Sequence, residues 1–368
     1  MKHSLTLLLA LILMFSTIGV GSAPSRVADL LEPIRVKYKL PALAGAIVTS
    51  KGLEAIGATG VRKAGTPVAV TVEDQWHLGS DTKAMTAVII ARLIERGSLK
   101  WDTTLGHVFP GLAGAMNPQM REVTIVELLS HRAGLPHDVA WRQFSNSGRA
   151  LKEQREDVVK LVGSMQPDSP PGSKYQYSNV GYVLAGAIAE KVTGESWEDL
   201  IAKTVFEPLG MRSTGFGGLG TPGKIDQPWP HFANGQPLPG NGPTVDNPEV
   251  MGPAGTVHCS LSDWAKFIAD QLRGDRGERA LLVPESYKKL HAPAFGGDYA
   301  MGWLVVERPW GGGTVLNHAG SNTMNYAVAW VAPKRDFAVL VCTNQGGDSA
   351  VKATDETAAA LIKLHLNE

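Results

Sequence analysis

The chain has 368 residues, enough for two or three domains of the usual size, about 150 residues each, or for one large enzyme-sized domain with an insertion. Hydrophobic residues make up 43% and charged residues 19%, a globular composition that excludes a disordered chain and a multi-span membrane protein. Lys plus Arg and Asp plus Glu both number 35, so no positive excess exists to neutralise a nucleic-acid backbone, and no DNA or RNA partner is expected.

At the start, Lys2 precedes an apolar run over 5–20 and the small residues Gly21, Ser22 and Ala23. This is the pattern of a secretory signal, assigned to 1–23, with the cut at Gly21, Ser22 or Ala23. The run is shorter than the ~20 residues a spanning helix needs, so no stable membrane span is expected after its removal, and the protein is expected to be exported. Residues 24–368 then form the catalytic domain. In 26–38, Val27, Leu30, Leu31, Ile34 and Tyr38 recur at helical spacing. The runs PALAGAIVTS and GLEAIGATG, broken at Ser-Lys-Gly, suit a β-hairpin.

A long stretch of helical patterns follows, among them MTAVIIARLIERGS, IVELLSH, NVGYVLAGAIAEKVTG and SWEDLIAKTVFEPLG, and predicts a helical lobe over roughly 84–250. Gly, Pro and Asn concentrate at 215–255, which reads as loop-rich surface. Then MGWLVVERPW, GTVLNHAG, NYAVAWVAP and DFAVLVCTN are four strand-like runs at the spacing of an antiparallel meander, followed by a last helix over 350–366 with Ala358, Leu361, Ile362 and His365 on one stripe. The two ends of the chain are therefore expected to share one sheet, an α/β (α+β) architecture. Cys259 and Cys342 are the minimum for one disulfide; Cys342 lies in an apolar run where buried free thiols are common, and the sequence leaves their pairing open.

Three segments carry chemistry. In HLGSDTKAMTAVII, Ser80 precedes Lys83 by one helical turn at the start of an apolar helix. A serine hydroxyl needs a base, and an amine held among Met85, Val88 and Ile89 is pushed toward neutrality by desolvation. The amide of Ser80, at a helix N-terminus, favours a developing oxyanion. In PGSKYQYSNVGYVLAG, Tyr177 and Asn179 project to one side of an extended segment; a phenol can relay a proton, and an amide can hold an acyl carbonyl or the lysine. In NHAGSN, Gly320 lets a substrate lie against a strand, the amide of Ser321 can be a second oxyanion donor, and His318 stands beside them. Each has a plainer explanation alone: a capping serine, a buried tyrosine, a structural strand histidine.

In this order the three motifs resemble the serine β-lactamase and penicillin-binding-protein superfamily, particularly its class C-like branch. The resemblance runs through TIVELLSHRAGLP at 124–136, AEKVTGESWEDLIAKTVFEPLGMRST at 189–214, AGTVHCSLSDWAKFI at 254–268, YAMGW at 299–303 and APKRDFAVLVCTNQGG at 332–347. It implies a β-lactamase/transpeptidase-like fold with an antiparallel sheet built from both ends of the chain and the helical lobe between. It also implies Ser80 as acylated nucleophile, Lys83 and Tyr177 as its general-base pair, Asn179 as a substrate contact, Ser80 and Ser321 as oxyanion-hole amides, and His318 and Gly320 as pocket lining. The third motif departs from the family's Lys-Thr-Gly: a histidine of ordinary pKa is mostly neutral at pH 7, so a substrate carboxylate loses its cation. His-x-Gly is similar instead to the family's esterases and D-amino-acid-specific peptidases. Trp310-Gly311-Gly312, similar to an esterase motif, reads as a hairpin turn, and His131 and His137 as surface residues or supports behind the pocket rim.

The function that follows is an exported serine hydrolase acting on an ester, amide or β-lactam of a small-molecule or peptide substrate; the alternative is a penicillin-binding sensor acylated without turnover. No Gly-x-Ser-x-Gly elbow is present, which excludes an ordinary α/β-hydrolase. The ten histidines form no His-Glu-x-x-His cluster, so neither metal nor other cofactor is expected. The sequence leaves the oligomeric state open.

Overall fold

The computed structural model describes residues 26–145 and 148–367; the signal segment 1–23 lies outside the described residues. Helix α1, Arg26–Lys37, buries Val27, Leu31 and Ile34 along one stripe, as the spacing predicts. Strands β1, Ala42–Thr49, and β2, Gly52–Gly60, form the expected hairpin. Strand β3, Gln75–His77, leads through a short turn into α2, Thr82–Glu95, nearly all of whose residues are buried. The middle of the chain supplies α3, Leu151–Gly163, α4, Asn179–Thr193, and several shorter helices. Ser178 caps α4 by accepting from Gly181 N, and Gly194 ends it at φ +79 in the left-handed region.

Strands β4, Gly215–Phe216, and β5, Val257–Ser260, join β3 in a three-stranded antiparallel sheet of order β3-β5-β4, with β5 in the middle. Sequence periodicity does not predict this sheet, because its strands are only two to four residues long. Between β4 and β5, the expected loop-rich stretch carries only short helical turns, Glu249–Met251 and Gly252–Gly255. Helix α5, Leu261–Asp275, follows, and then the meander β6, Leu304–Arg308, β7, Gly313–Ser321, β8, Tyr326–Ala332, and β9, Phe337–Thr343. Trp310-Gly311-Gly312 is indeed the turn between β6 and β7. Helix α6, Asp348–Leu366, ends the described chain.

The main sheet is antiparallel in the order β2-β1-β9-β8-β7-β6, so β9 from the far end of the chain sits beside β1 from the start. Both faces are covered, and the alternation along β9 shows it: Phe337, Val339 and Val341 join α1 and α6 in one apolar cluster, whereas Ala338, Leu340 and Cys342 face α2 and the helical side. The same alternation puts Leu316 of β7 on the helical side, and with it His318 and Gly320. Cys259 and Cys342 are both buried free thiols.

Candidate active site

The turn between β3 and α2, Gly79–Asp81, carries Ser80. Gly79 stands at φ +51, and a Cβ there would lie 2.4 Å from Ser321 N, so conformation and space both require glycine. Ser80 is partly exposed, whereas Lys83, one turn further, is completely buried. Lys83 Nζ lies 3.0 Å from Ser80 Oγ, 2.8 Å from Asn179 Oδ1 and 2.7 Å from the carbonyl oxygen of Ala254. The Tyr177 hydroxyl donates to Ser80 Oγ at 2.9 Å. Two residues from one motif and two from another, 97 positions apart in the case of Ser80 and Tyr177, thus meet around one hydroxyl.

Burial is the dominant influence on Lys83 and lowers its pKa to about 7, against the opposing pull of Asp138 and Asp81. At neutral pH a large share of this amine is therefore uncharged. A neutral amine has two N–H bonds and one lone pair. With the N–H bonds donated to Asn179 Oδ1 and Ala254 O, the lone pair is left facing the Ser80 hydroxyl. Burial pushes the Tyr177 phenol above its ordinary range, so it stays protonated and donates.

On β7, His318 is buried and its Nε2 shares a hydrogen bond of 3.1 Å with the Tyr299 hydroxyl. Desolvation, reinforced by the nearby Lys83, lowers its pKa to about 3, so the ring is neutral across the physiological range. At Gly320 a Cβ would lie 1.9 Å from the Leu78 carbonyl oxygen and 2.6 Å from Ser80 N. Strand β7 and the Ser80 turn therefore touch backbone to backbone, which brings the amides of Ser80 and Ser321 to one place. All seven residues singled out by sequence, Ser80, Lys83, Tyr177, Asn179, His318, Gly320 and Ser321, lie around this junction of α2, α4 and β7.

Several contributors were not legible in the sequence. Asp138 accepts from Asn179 Nδ2 at 3.1 Å and from Trp141 Nε1 at 2.7 Å, which fixes the Asn179 amide with its oxygen toward Lys83. Tyr299 backs His318, and only its place in the YAMGW segment hints at it. His131 is not a surface residue: it is buried behind Tyr177, with ring centroids 4.3 Å apart, and its Nδ1 accepts from Ser178 N. His137 is the exposed one and pairs with Asp138. Asp81, next to the nucleophile candidate, is buried, and burial raises its pKa well above the carboxylate range.

The family model described as Beta-lactamase matches residues 27–363. The chain belongs to the Beta-lactamase family. Its members are serine hydrolases acting on small acyl substrates. Among curated relatives, Penicillin-binding protein 4 of Amycolatopsis lactamdurans is 28% identical over 86% of this chain and 84% of its own length. Protein flp of Staphylococcus aureus (strain COL) is 24% identical over 78% of this chain, which spans only 56% of that relative. Among solved structures, the octameric penicillin-binding protein homologue from Pyrococcus abyssi superposes with a TM-score of 0.74 at 23% identity, over 93% of this chain and 77% of that one. The D-alanine carboxypeptidase AmpC from Burkholderia cenocepacia gives 0.71 at 18% identity, over 91% and 97%. These likenesses establish the β-lactamase/transpeptidase-like fold expected from the motifs. Among the described residues no helix is long and apolar enough to cross a membrane, and no three His, Cys, Asp or Glu side chains are grouped to hold a metal ion.

Proposed function

We propose that this protein is an exported serine hydrolase that forms an acyl-enzyme on Ser80 and releases it to water. The observation that carries the reading is the environment of Lys83: a buried amine with a pKa near neutrality, two carbonyl oxygens for its N–H bonds and the Ser80 hydroxyl in the remaining direction. As Ser80 Oγ bonds to the acyl carbon, its proton passes to Lys83, and the ammonium so formed is held by Asn179 and Ala254. The carbonyl oxygen, becoming an anion, rests on the amides of Ser80 and Ser321. Tyr177, a protonated phenol touching Oγ, delivers a proton to the leaving group as the scissile bond breaks, and the proton taken up by Lys83, whose Nζ also faces Oγ, restores the phenol.

The neutral His318 at the third motif supports a preference among acyl groups. No buried cation waits there for a carboxylate, so esters and amides without a flanking carboxylate fit better than β-lactams, whose binding gains most from one. Export rests on Lys2 and the apolar run over 5–20.

The test is an intact-mass time course of the purified protein with p-nitrophenyl acyl esters and with benzylpenicillin, run beside Ser80→Ala, with free product followed in the same samples. Turnover of the ester that disappears in Ser80→Ala is the expected result. A lasting penicilloyl adduct without product in either reaction would make the protein an acylated sensor instead. Full ester hydrolysis by Ser80→Ala would overturn the assignment.

A further inference from the structure

Behind the Ser80 turn runs a line of buried polar groups that the catalytic cluster does not use. Gly79 N donates to His77 Nδ1 at 3.1 Å, so the ring proton lies on Nε2, which is 2.8 Å from Asp246 Oδ2. The side chains of His77 and Asp246 are 0% and 1% exposed. The other carboxylate oxygen, Asp246 Oδ1, accepts from Asn322 Nδ2 at 2.8 Å. Asn322 Oδ1 in turn accepts from Met324 N, Asn325 N and Asn325 Nδ2 at 3.2, 2.9 and 3.2 Å. Asn325 closes the line, because its carbonyl oxygen accepts from Ser321 Oγ at 2.8 Å.

The line ties together three parts of the chain. His77 ends β3 and directly precedes the Ser80 turn. Asp246 belongs to the irregular 215–255 stretch. Asn322 opens the turn between β7 and β8, immediately after Ser321. Its two ends therefore grip the two backbone segments whose amides converge, one through Gly79 N and the other through the Ser321 side chain. The side chains of His77, Asp246, Asn322 and Asn325 are buried, while Ser321 at the end of the line is exposed and Asn325 Oδ1 has no partner; in the buried His77–Asp246–Asn322 part a mismatch costs the full desolvation of the group left unpaired.

Resting on the reading of Ser80 as nucleophile, we infer that Asp246, bridging His77 to Asn322, is a positioning residue that sets the separation of the Ser80 and Ser321 amides and so tunes the oxyanion site. The Asp246 carboxylate bonds to His77 and Asn322, not to Ser80. Its polarity pattern makes the inference sharply testable, because Asp246 and Asn322 can exchange roles. In Asp246→Asn alone, the new amide accepts from His77 but turns its NH2 toward the NH2 of Asn322. In Asn322→Asp alone, two carboxylates face each other. In the double variant, the amide at 246 accepts from His77 and donates to the carboxylate at 322, whose other oxygen accepts from Met324 N and Asn325, so all pairings return.

The experiment follows two readouts in the full chain and the three variants. The first is the single-turnover reaction with a p-nitrophenyl alkylphosphonate, in which the Ser80 Oγ–P bond forms, nitrophenolate leaves and the serine proton passes to Lys83. Each single variant is expected to lower the limiting rate about 10-fold or more while leaving the half-saturating concentration within about twofold, and the double variant to recover to within about threefold of the parent. The second is the amide 1H–15N shift of Ser80 and Ser321, expected to move in both single variants and to return in the double. Single variants that react like the parent, or a double variant whose loss is the product of the two single losses, would overturn the inference. So would unmoved amide shifts, or a double variant that fails to fold. If the parent itself shows no phosphonylation at Ser80 while the amide shifts move and return as expected, the bridge sets the spacing and it is the nucleophile assignment that fails.

Discussion

The chemistry of a single residue, Lys83, makes the sharpest predictions. A base must be uncharged to act, so as pH falls through about 7 the ammonium form takes over and kcat/KM should fall about tenfold per pH unit on the acid side. A profile that stays flat from pH 5 to 8 would exclude a lysine base. Lys83→Arg should be inactive, because a guanidinium keeps its proton. The same burial has a cost in stability. The unfolded lysine holds its proton up to about 10.5 and the folded one only to about 7, so between those values the unfolded state binds more protons and stability rises with pH. Below about 7 the penalty is complete. Lys83→Met should therefore be inactive yet more stable than the parent, by a few kcal/mol at pH 6 and by little at pH 10, as read from urea unfolding at the two pH values.

Among the elements, helices α3 and α4 are fastened to the segment that supplies Ala254. Arg155 of α3, fully buried, pairs with Glu190 of α4 at 2.5 Å and with Glu198 at 2.5 Å, and its Nε donates to the Val250 carbonyl at 3.1 Å. Gly252 lies against the same guanidinium, where a Cβ would be 2.9 Å from an arginine nitrogen. Arg155→Ala would strand Glu190 in the interior, and the expected loss is about 3–5 kcal/mol of unfolding free energy. Because Ala254 O then loses its anchor, the fraction that remains folded should also show an acid limb moved from its parental position. The periodic elements here were readable in the sequence: α2, α4 and α6 each repeat apolar residues at helical spacing. Strands β3, β4 and β5 were not, since two to four residues cannot establish an alternation and their pairing is entirely long-range.

At the scale of the whole molecule, the site exists only where sheet and helices close on each other. Gly320 is the point of closest approach, and Gly320→Ala should push β7 off the Ser80 turn, lowering phosphonylation of Ser80 by about 100-fold while the far-ultraviolet circular dichroism stays unchanged. The two cysteines report the same closure from within. Cys342 is on the inner face of β9 and Cys259 on β5, both fully buried, with burial pushing both thiols well above their ordinary range. The native protein should leave both thiols unreacted with a water-soluble disulfide reagent, and the unfolded protein should expose two; one or none after unfolding without reductant would mean that they pair or are blocked.

The sequence alone determined the elements with a strong period, the sharing of one sheet by the two ends of the chain, and Ser80, Lys83 and Tyr177 as the residues proposed for nucleophile and base chemistry. It could do so because helical and strand periodicities are local, and because a serine one turn before a lysine is already a local geometry. Tertiary structure alone decided that Asp138 fixes the Asn179 amide, that Tyr299 backs His318, that His131 stands behind Tyr177, and that Asp246 reaches both His77 and Asn322. These are contacts between side chains 19 to 169 positions apart, each of an ordinary residue type with no local pattern. Their meaning comes from burial, which removes water as the alternative partner and leaves each donor with one acceptor to find.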